Sequence, residues 1–224
     1  MHAVIYERNE VENGTLLLKV FTQFGKIKKL KIPGILKSKT RNAYFLAPAT
    51  LWEFTISGNE REVVTPKEYT LIHSPYSFES SYKELASIGE VLKPMNYLKP
   101  DLEIIPLFND LSKILYNWKC GDKLKEITLS NQFYLKFLFR MGLLNFSLQC
   151  VHCGKILSDQ ARYHLFSGSI CNDCIKEQIY RENEFIPNLW INNGINEISN
   201  NGIFTEENEM DYRKRIIHYL KSSI

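Results

Sequence analysis

A chain of 224 residues has room for one large domain or two small ones. Hydrophobic residues make up 44% and charged residues 24%, an ordinary globular balance that excludes a disordered tail and predicts a packed core. The formal net charge is only +3, so bulk charge identifies no partner and the local distribution has to be read instead.

The opening residues carry no basic segment followed by an apolar one, and no apolar run approaches the roughly 20 residues that a membrane helix needs. The expectation is a cytosolic protein. Thiols stay reduced there, and paired cysteines point to metal rather than to disulfides.

In chain order, residues 4–8, 15–22, 26–32, 51–57, 61–65 and 68–73 are short runs rich in β-branched and aromatic residues. Gly14, Gly25, Pro33-Gly34, Gly58-Asn59 and Pro66 punctuate them. Five or six short strands at this spacing predict a small closed barrel, a form that leaves no open sheet edge.

From Ser77 the period changes. Tyr82, Leu85, Ile88 and Leu92 recur at helical steps, as do Leu107, Leu111, Ile114, Leu115 and Trp118, and then Phe133, Phe137, Leu138, Met141 and Leu144. The stretch 94–106 reads as the first connection and Gly121-Asp122 as the second. Cys120, unpaired in sequence, reads as a small helix-face residue. After Cys174 a short helical stretch precedes residues 188–201, whose Asn and Gly content reads as a loop.

The last segment reads as a helix that Thr205 could cap. Glu206, Glu207, Glu209 and Asp211 fall early, and Arg213, Lys214, Arg215, His218 and Lys221 fall late, an order that suits the helix dipole. The predicted class is α+β. A β-barrel domain over 1–76 is followed by a helical domain over 77–224 that carries a metal segment at 150–174.

That segment holds Cys150, Cys153, Cys171 and Cys174, two Cys-x2-Cys pairs separated by 17 residues. Two residues between cysteines let a tight turn aim both sulfurs at one ion, and the gap lets two such turns face each other across a tetrahedron. Gly154 supplies the positive φ such a turn needs. Ile175 at the equivalent second position predicts a turn that runs into a helix. Four thiolates fill the tetrahedron and leave no place for water or substrate, so the reading is one structural Zn2+. His152 and His164 read as bystanders.

Between Lys19 and Arg41 lie eight basic residues, Lys19, Lys26, Lys28, Lys29, Lys31, Lys37, Lys39 and Arg41, and no Asp or Glu. Strand alternation puts Lys29 and Lys31 on one face and Leu30 and Ile32 on the other. With Phe21, Phe24, Tyr44, Phe45 and Trp52 nearby, the strip suits nucleic acid: lysines neutralise phosphates and exposed aromatics stack on bases. Trp52 and Phe45 are expected in the core.

Three further stretches carry a resemblance. Residues 15–26 (TLLLKVFTQFGK), 34–41 (GILKSKTR) and 133–143 (FYLKFLFRMGL) resemble, in order, the second strand with its glycine turn, the basic loop, and the helix before Cys-x2-Cys-Gly of the DNA repair protein RecO family of bacterial recombination mediators. The similarity spans about residues 1–175. The family's usual N-terminal arginines are mostly lysines here, which keeps phosphate binding and loses bidentate geometry. The resemblance implies an OB-fold and binding of single- and double-stranded DNA. It also implies annealing of complementary strands and help in loading the RecA recombinase during DNA repair and recombination, at the nucleoid. RecR and the acidic tail of the single-stranded-DNA-binding protein are the implied partners. Lys136 and Arg140, one turn apart, are the implied candidates for the basic lip of the tail pocket.

A competing reading is a zinc-ribbon interaction module of the transcription or translation machinery, using the metal knuckles as its recognition surface. An enzyme is not expected. There is no His-Glu-x-x-His, no Gly-Lys-Ser/Thr phosphate loop and no nucleophile elbow. Asp101, Glu103, Asp110 and the acidic group at 206–211 read as solvated faces.

Overall fold

The computed structural model describes residues 1–38, 43–56, 63–76, 82–118, 121–144, 147, 149–157, 162–177, 185–187 and 206–223. Cys120, Lys39, Arg41, Thr205 and the predicted loop 188–201 lie outside the described residues, as do the ends of the predicted strands at 57 and at 61–62. The chain divides into two compact units, Met1–Glu126 and Ile127–Ile224.

The first unit is built on a six-stranded sheet. Its strands are β1 (His2–Val11), β2 (Thr15–Thr22), β3 (Ile27–Ile32), β4 (Leu51–Thr55), β5 (Val63–Val64) and β6 (Glu68–His73), in the order β5-β3-β2-β1-β4-β6. All pairings are antiparallel except β3 with β5. Register shifts between Ile5 and Glu7 and between Leu51 and Trp52 bend the sheet, because an extra residue on one strand raises local twist. The result is a curled half-barrel. Its two edge strands are neighbours in the chain, joined only by Thr65, Pro66 and Lys67. Proline has no N–H to give a ladder, so the strand breaks there and changes partner.

Alternation then sorts the side chains. Ala3, Ile5, Leu16, Leu18, Val20, Leu30, Ile32, Trp52 and Phe54 turn inward to one core. Trp52 belongs to it, with Nε1 donating to Thr50 Oγ1 at 2.8 Å, and Phe45 packs against it.

Two helices complete this unit, α1 (Tyr82–Leu92) and α2 (Ile105–Asn117). The predicted face of α2 is buried: Leu107, Leu111, Ile114 and Leu115 lie inside, and Trp118 closes the set just beyond the helix end. Phe21 lies outside the core of the half-barrel and meets Phe108, ring centroids 6.2 Å apart. Asp110 is buried rather than solvated.

The turn between β2 and β3 fastens the segment before α2. Gly25 has φ +73°, and a Cβ on it would collide with the backbone of Ile104 and Ile105. With no side chain there, Ile104 N donates to Gly25 O at 3.0 Å.

Helix α3 (Lys123–Arg140) runs from the end of the first unit into the second. It begins ten residues before the first apolar residue of the predicted set, Phe133, with Asp122 Oδ1 accepting from Lys125 N at 3.1 Å as its cap. Its early turns are buried through polar residues: Glu126, Thr128, Ser130 and Asn131.

The second unit is mixed rather than purely helical. It holds a three-stranded antiparallel sheet, order β8-β7-β9, of β7 (Arg162–His164), β8 (Gly168–Ile170) and β9 (Phe185–Pro187), with the short helix α4 (Asn172–Glu177). The last helix, α5 (Glu206–Ser223), docks through Tyr219, whose hydroxyl donates to Leu143 O at 2.7 Å, and through Arg215, which donates to Phe185 O at 2.8 Å.

One of the acidic residues at the start of α5 is not solvated. Glu209 is fully buried, and Asn131 Nδ2 donates to both its backbone O and its Oε2 at 2.9 Å. Burial pushes its carboxyl up to about 7 against the opposing pull of Asn131 and Thr128. Among the described residues, Glu209 Oε1 and Asn131 Oδ1 have no hydrogen-bond partner.

Candidate functional site

The four cysteines come together. Their sulfurs all lie within 4.8 Å of one another, and the group can hold a metal ion. Cys153 and Cys171 sulfurs are 3.6 Å apart, far beyond the about 2.05 Å of a disulfide.

Each pair is shaped by local backbone. In the first knuckle, Cys150 N donates to Lys155 O at 2.8 Å and Gly154 N to Cys150 O at 2.9 Å. Gly154 takes φ +72°, as its place after Cys153 requires. The second pair runs into α4, which contains Cys174 and Ile175. Val151 N donates to Ser169 O at 3.0 Å, tying the first knuckle to the β8 strand that leads to Cys171. On the surface, Lys155 Nζ meets Asp173 at 3.2 Å and bridges the two knuckles.

Electrostatics favours a cation at this point. Burial works to raise the Cys150 thiol, but N–H groups of Cys171, Cys153 and His152 and the Cys153 thiol donate to its sulfur and hold it down at about 6. Cys171 N to Cys150 sulfur measures 3.4 Å. The Cys174 thiol is pushed up, first by its hydrogen bond with the Cys171 sulfur and then by burial. Four sulfurs this close cannot all carry charge unaided, and a bound metal ion would replace the shared protons. Neither histidine belongs to the group: His164 is buried, with Nδ1 accepting from Ser167 N at 3.0 Å, and His152 is exposed.

The basic residues are distributed rather than massed. Pairing sets Lys19 opposite Lys29 and, on its other side, opposite Glu7, while Lys31 lies opposite Leu17. Lys29 and Lys31 therefore share the outer face of β2 and β3. Lys28 has the parity of Leu30 and Ile32, at the start of the strand. Lys37 follows β3 and lies against Gly14, at the β1–β2 end of the sheet.

Two of the cations are compensated by acids that are distant in sequence. Lys19 Nζ donates to Glu7 Oε2 at 2.6 Å, and this bond, working against burial, holds the Glu7 carboxyl below its ordinary range. Lys26 is ion-paired with Glu103, beside the Gly25 turn. Among the described residues no carboxylate pairs with Lys28, Lys31 or Lys37.

Of the five nearby aromatics, Phe21 and Trp52 are buried, Tyr44 and Phe45 are half-buried, and Phe24 is 51% exposed. Lys136 is half-buried and Arg140 exposed on α3, with the Arg140 guanidinium 5.6 Å from the centroid of the Phe139 ring. The hairpin β7–β8 and strand β9 are parts of the surroundings of the four cysteines that sequence reasoning missed. Phe185 of β9 packs into the small core around Cys150 and Cys174.

No helix among the described residues is long and apolar enough to cross a membrane. No protein-family model and no curated protein matches the chain.

Proposed function

We propose that this chain is a non-enzymatic DNA-binding protein that anneals complementary strands and serves as a recombination mediator of the RecO kind, braced by one structural zinc. The observation that carries the reading is the placement of Lys29 and Lys31 on the outer face of β2 and β3, with Lys37 beside the β1–β2 turn. If β5 and β6 are taken as one strand broken at Pro66, the sheet follows an OB-type path. In that fold the strand 2–3 face and the loop between strands 1 and 2 contact nucleic acid.

Zinc is favoured by the donor set. A tetrahedron with Zn–S near 2.3 Å sets its sulfurs about 3.8 Å apart, and Cys153 and Cys171 stand at 3.6 Å. Cys150, Cys153, Cys171 and Cys174 would hold the ion, which contributes folding energy and offers no open coordination position. Binding of RecR and of the acidic tail of the single-stranded-DNA-binding protein, RecA loading and action at the nucleoid rest on the family resemblance alone.

The test is an annealing assay on complementary strands coated with single-stranded-DNA-binding protein, with salt and chelator varied separately. The reading requires annealing that falls steeply with salt and disappears when Lys28, Lys29, Lys31, Lys37 and Lys39 are replaced by Glu. Unaltered DNA binding in that variant removes it.

One observation favours a second reading, in which the metal knuckle is a protein-recognition surface: Ile156 is 82% exposed and Val151 44% exposed. Ile156→Asp would then abolish partner capture and leave DNA affinity unchanged.

A further inference from the structure

Phe24 is an aromatic ring held half in water by a turn with little freedom to withdraw it. The β2–β3 turn is closed by Thr22 N donating to Lys26 O at 2.9 Å, Gly25 N to Thr22 O at 2.8 Å and Thr22 Oγ1 to Lys26 O at 3.0 Å. It is fastened on one side to the N-terminal strand, where His2 N donates to Gln23 Oε1 at 2.8 Å and Gln23 N to His2 O at 2.9 Å. On the other side Ile104 N donates to Gly25 O. Among the described residues the ring has no aromatic partner, although Phe21, three residues earlier, is buried against Phe108.

We infer that Phe24 is a stacking platform for an unpaired base, and that it gives this hairpin a preference for single-stranded over double-stranded DNA. The inference rests on the DNA-binding reading above and deepens it. A pinned turn presents the ring without paying to order it on binding. Its surroundings favour the ligand class: residues 15–37 contain no Asp or Glu, and although Glu103 pairs with Lys26 beside the turn, Lys28, four positions after Phe24, pairs with no carboxylate among the described residues. An apolar protein surface could also cover a ring, but it makes no use of a lysine-bearing hairpin with no carboxylate of its own, whereas an anionic strand with exposed bases uses both features. Bases in a duplex are stacked and sealed, so the ring gains nothing from double-stranded DNA.

The experiment compares the full chain with Phe24→Ala, Phe24→Leu and Phe24→Trp on fluorescein-labelled oligo-dT and on a duplex of equal length, by anisotropy across a salt series. Phe24→Ala and Phe24→Leu should each weaken single-strand binding about ten-fold and leave duplex binding unchanged. The salt slope should also stay the same, because the ring neutralises no phosphate. Phe24→Trp should restore affinity, with its indole fluorescence quenched on binding. Three outcomes overturn the inference while the DNA-binding reading stands: unaltered single-strand affinity in Phe24→Ala, equal weakening on single strand and duplex, or a Leu variant as good as wild type. A Phe24→Ala variant that loses a protein partner and keeps DNA affinity makes the ring part of a protein interface and also overturns it. A wild-type chain that binds neither DNA with salt dependence fails the DNA-binding reading itself.

Discussion

Raising the pH should loosen the docking of α5, and Glu209→Gln should abolish that response. The buried Glu209 carboxyl is pushed from 4.5 up to about 7, chiefly by burial. Between those values the unfolded chain releases its proton while the folded one keeps it, so stability falls as pH rises through the window. It is full below about 4.5 and fully reduced above about 7. Each pH unit costs about 1.4 kcal/mol, so the whole window amounts to roughly 3 kcal/mol. The positive end of the α5 dipole favours the ionised form by about 0.5 kcal/mol, too little to reverse the sign. Gln keeps an acceptor for Asn131 Nδ2, cannot ionise, and brings a donor to a place where Glu209 Oε1 and Asn131 Oδ1 have none among the described residues. Urea denaturation at about pH 5 and pH 8, with amide exchange read over 206–223, measures the effect. Wild type should be less stable at the higher pH, and the variant flat and more stable than wild type there. A wild-type chain insensitive to pH, or a Gln variant weaker than wild type at pH 8, refutes the argument.

Gly25→Ala should destabilise the first unit by about 3 kcal/mol or more, since a positive φ and a backbone clash act together; urea denaturation gives the value, and a neutral effect would mean that Ile104 and Ile105 can withdraw. Chelation or Cys171→Ser should unfold the second unit and leave the first folded, because a structural zinc held by the four cysteines would contribute on the order of 10 kcal/mol where it binds; circular dichroism with limited proteolysis separates the two, and a first unit that unfolds with chelation contradicts the division. Replacing Lys29, Lys31 and Lys37 with Gln should lower the salt slope of single-strand binding by about one for each phosphate no longer neutralised. An unchanged slope in anisotropy titrations puts the phosphates elsewhere.

The long strands of the first unit were legible because apolar residues alternate between core and surface, as Leu16, Leu18 and Val20 do against Lys19. The four-cysteine cluster was legible because its chemistry lies in spacing alone. The small sheet was not: Arg162–His164 and Gly168–Ile170 are too short to show a period, and the metal knuckles and β9 define them. The first turns of α3 were missed because they bury Thr128, Ser130 and Asn131, which a hydrophobic pattern cannot register. Glu209 and Asp110 misled for the same reason, as carboxylates that resemble solvated faces until the packing around them is known. The compensation of Lys19 and Lys26 needed Glu7 and Glu103, which no local window joins to them.

The break at Pro66 has a consequence for how this protein could fail. The two borders of the sheet are neighbours in the chain, β5 on one side and β6 on the other, and three residues join them. A single cut between Thr65 and Lys67 would therefore untie the two edge strands from each other and leave each held only by its own ladder, β5 on β3 and β6 on β4. Each would expose unpaired backbone amides and carbonyls able to recruit another chain. Nicking at that linker would thus favour strand-swapped dimers or aggregates over the folded chain.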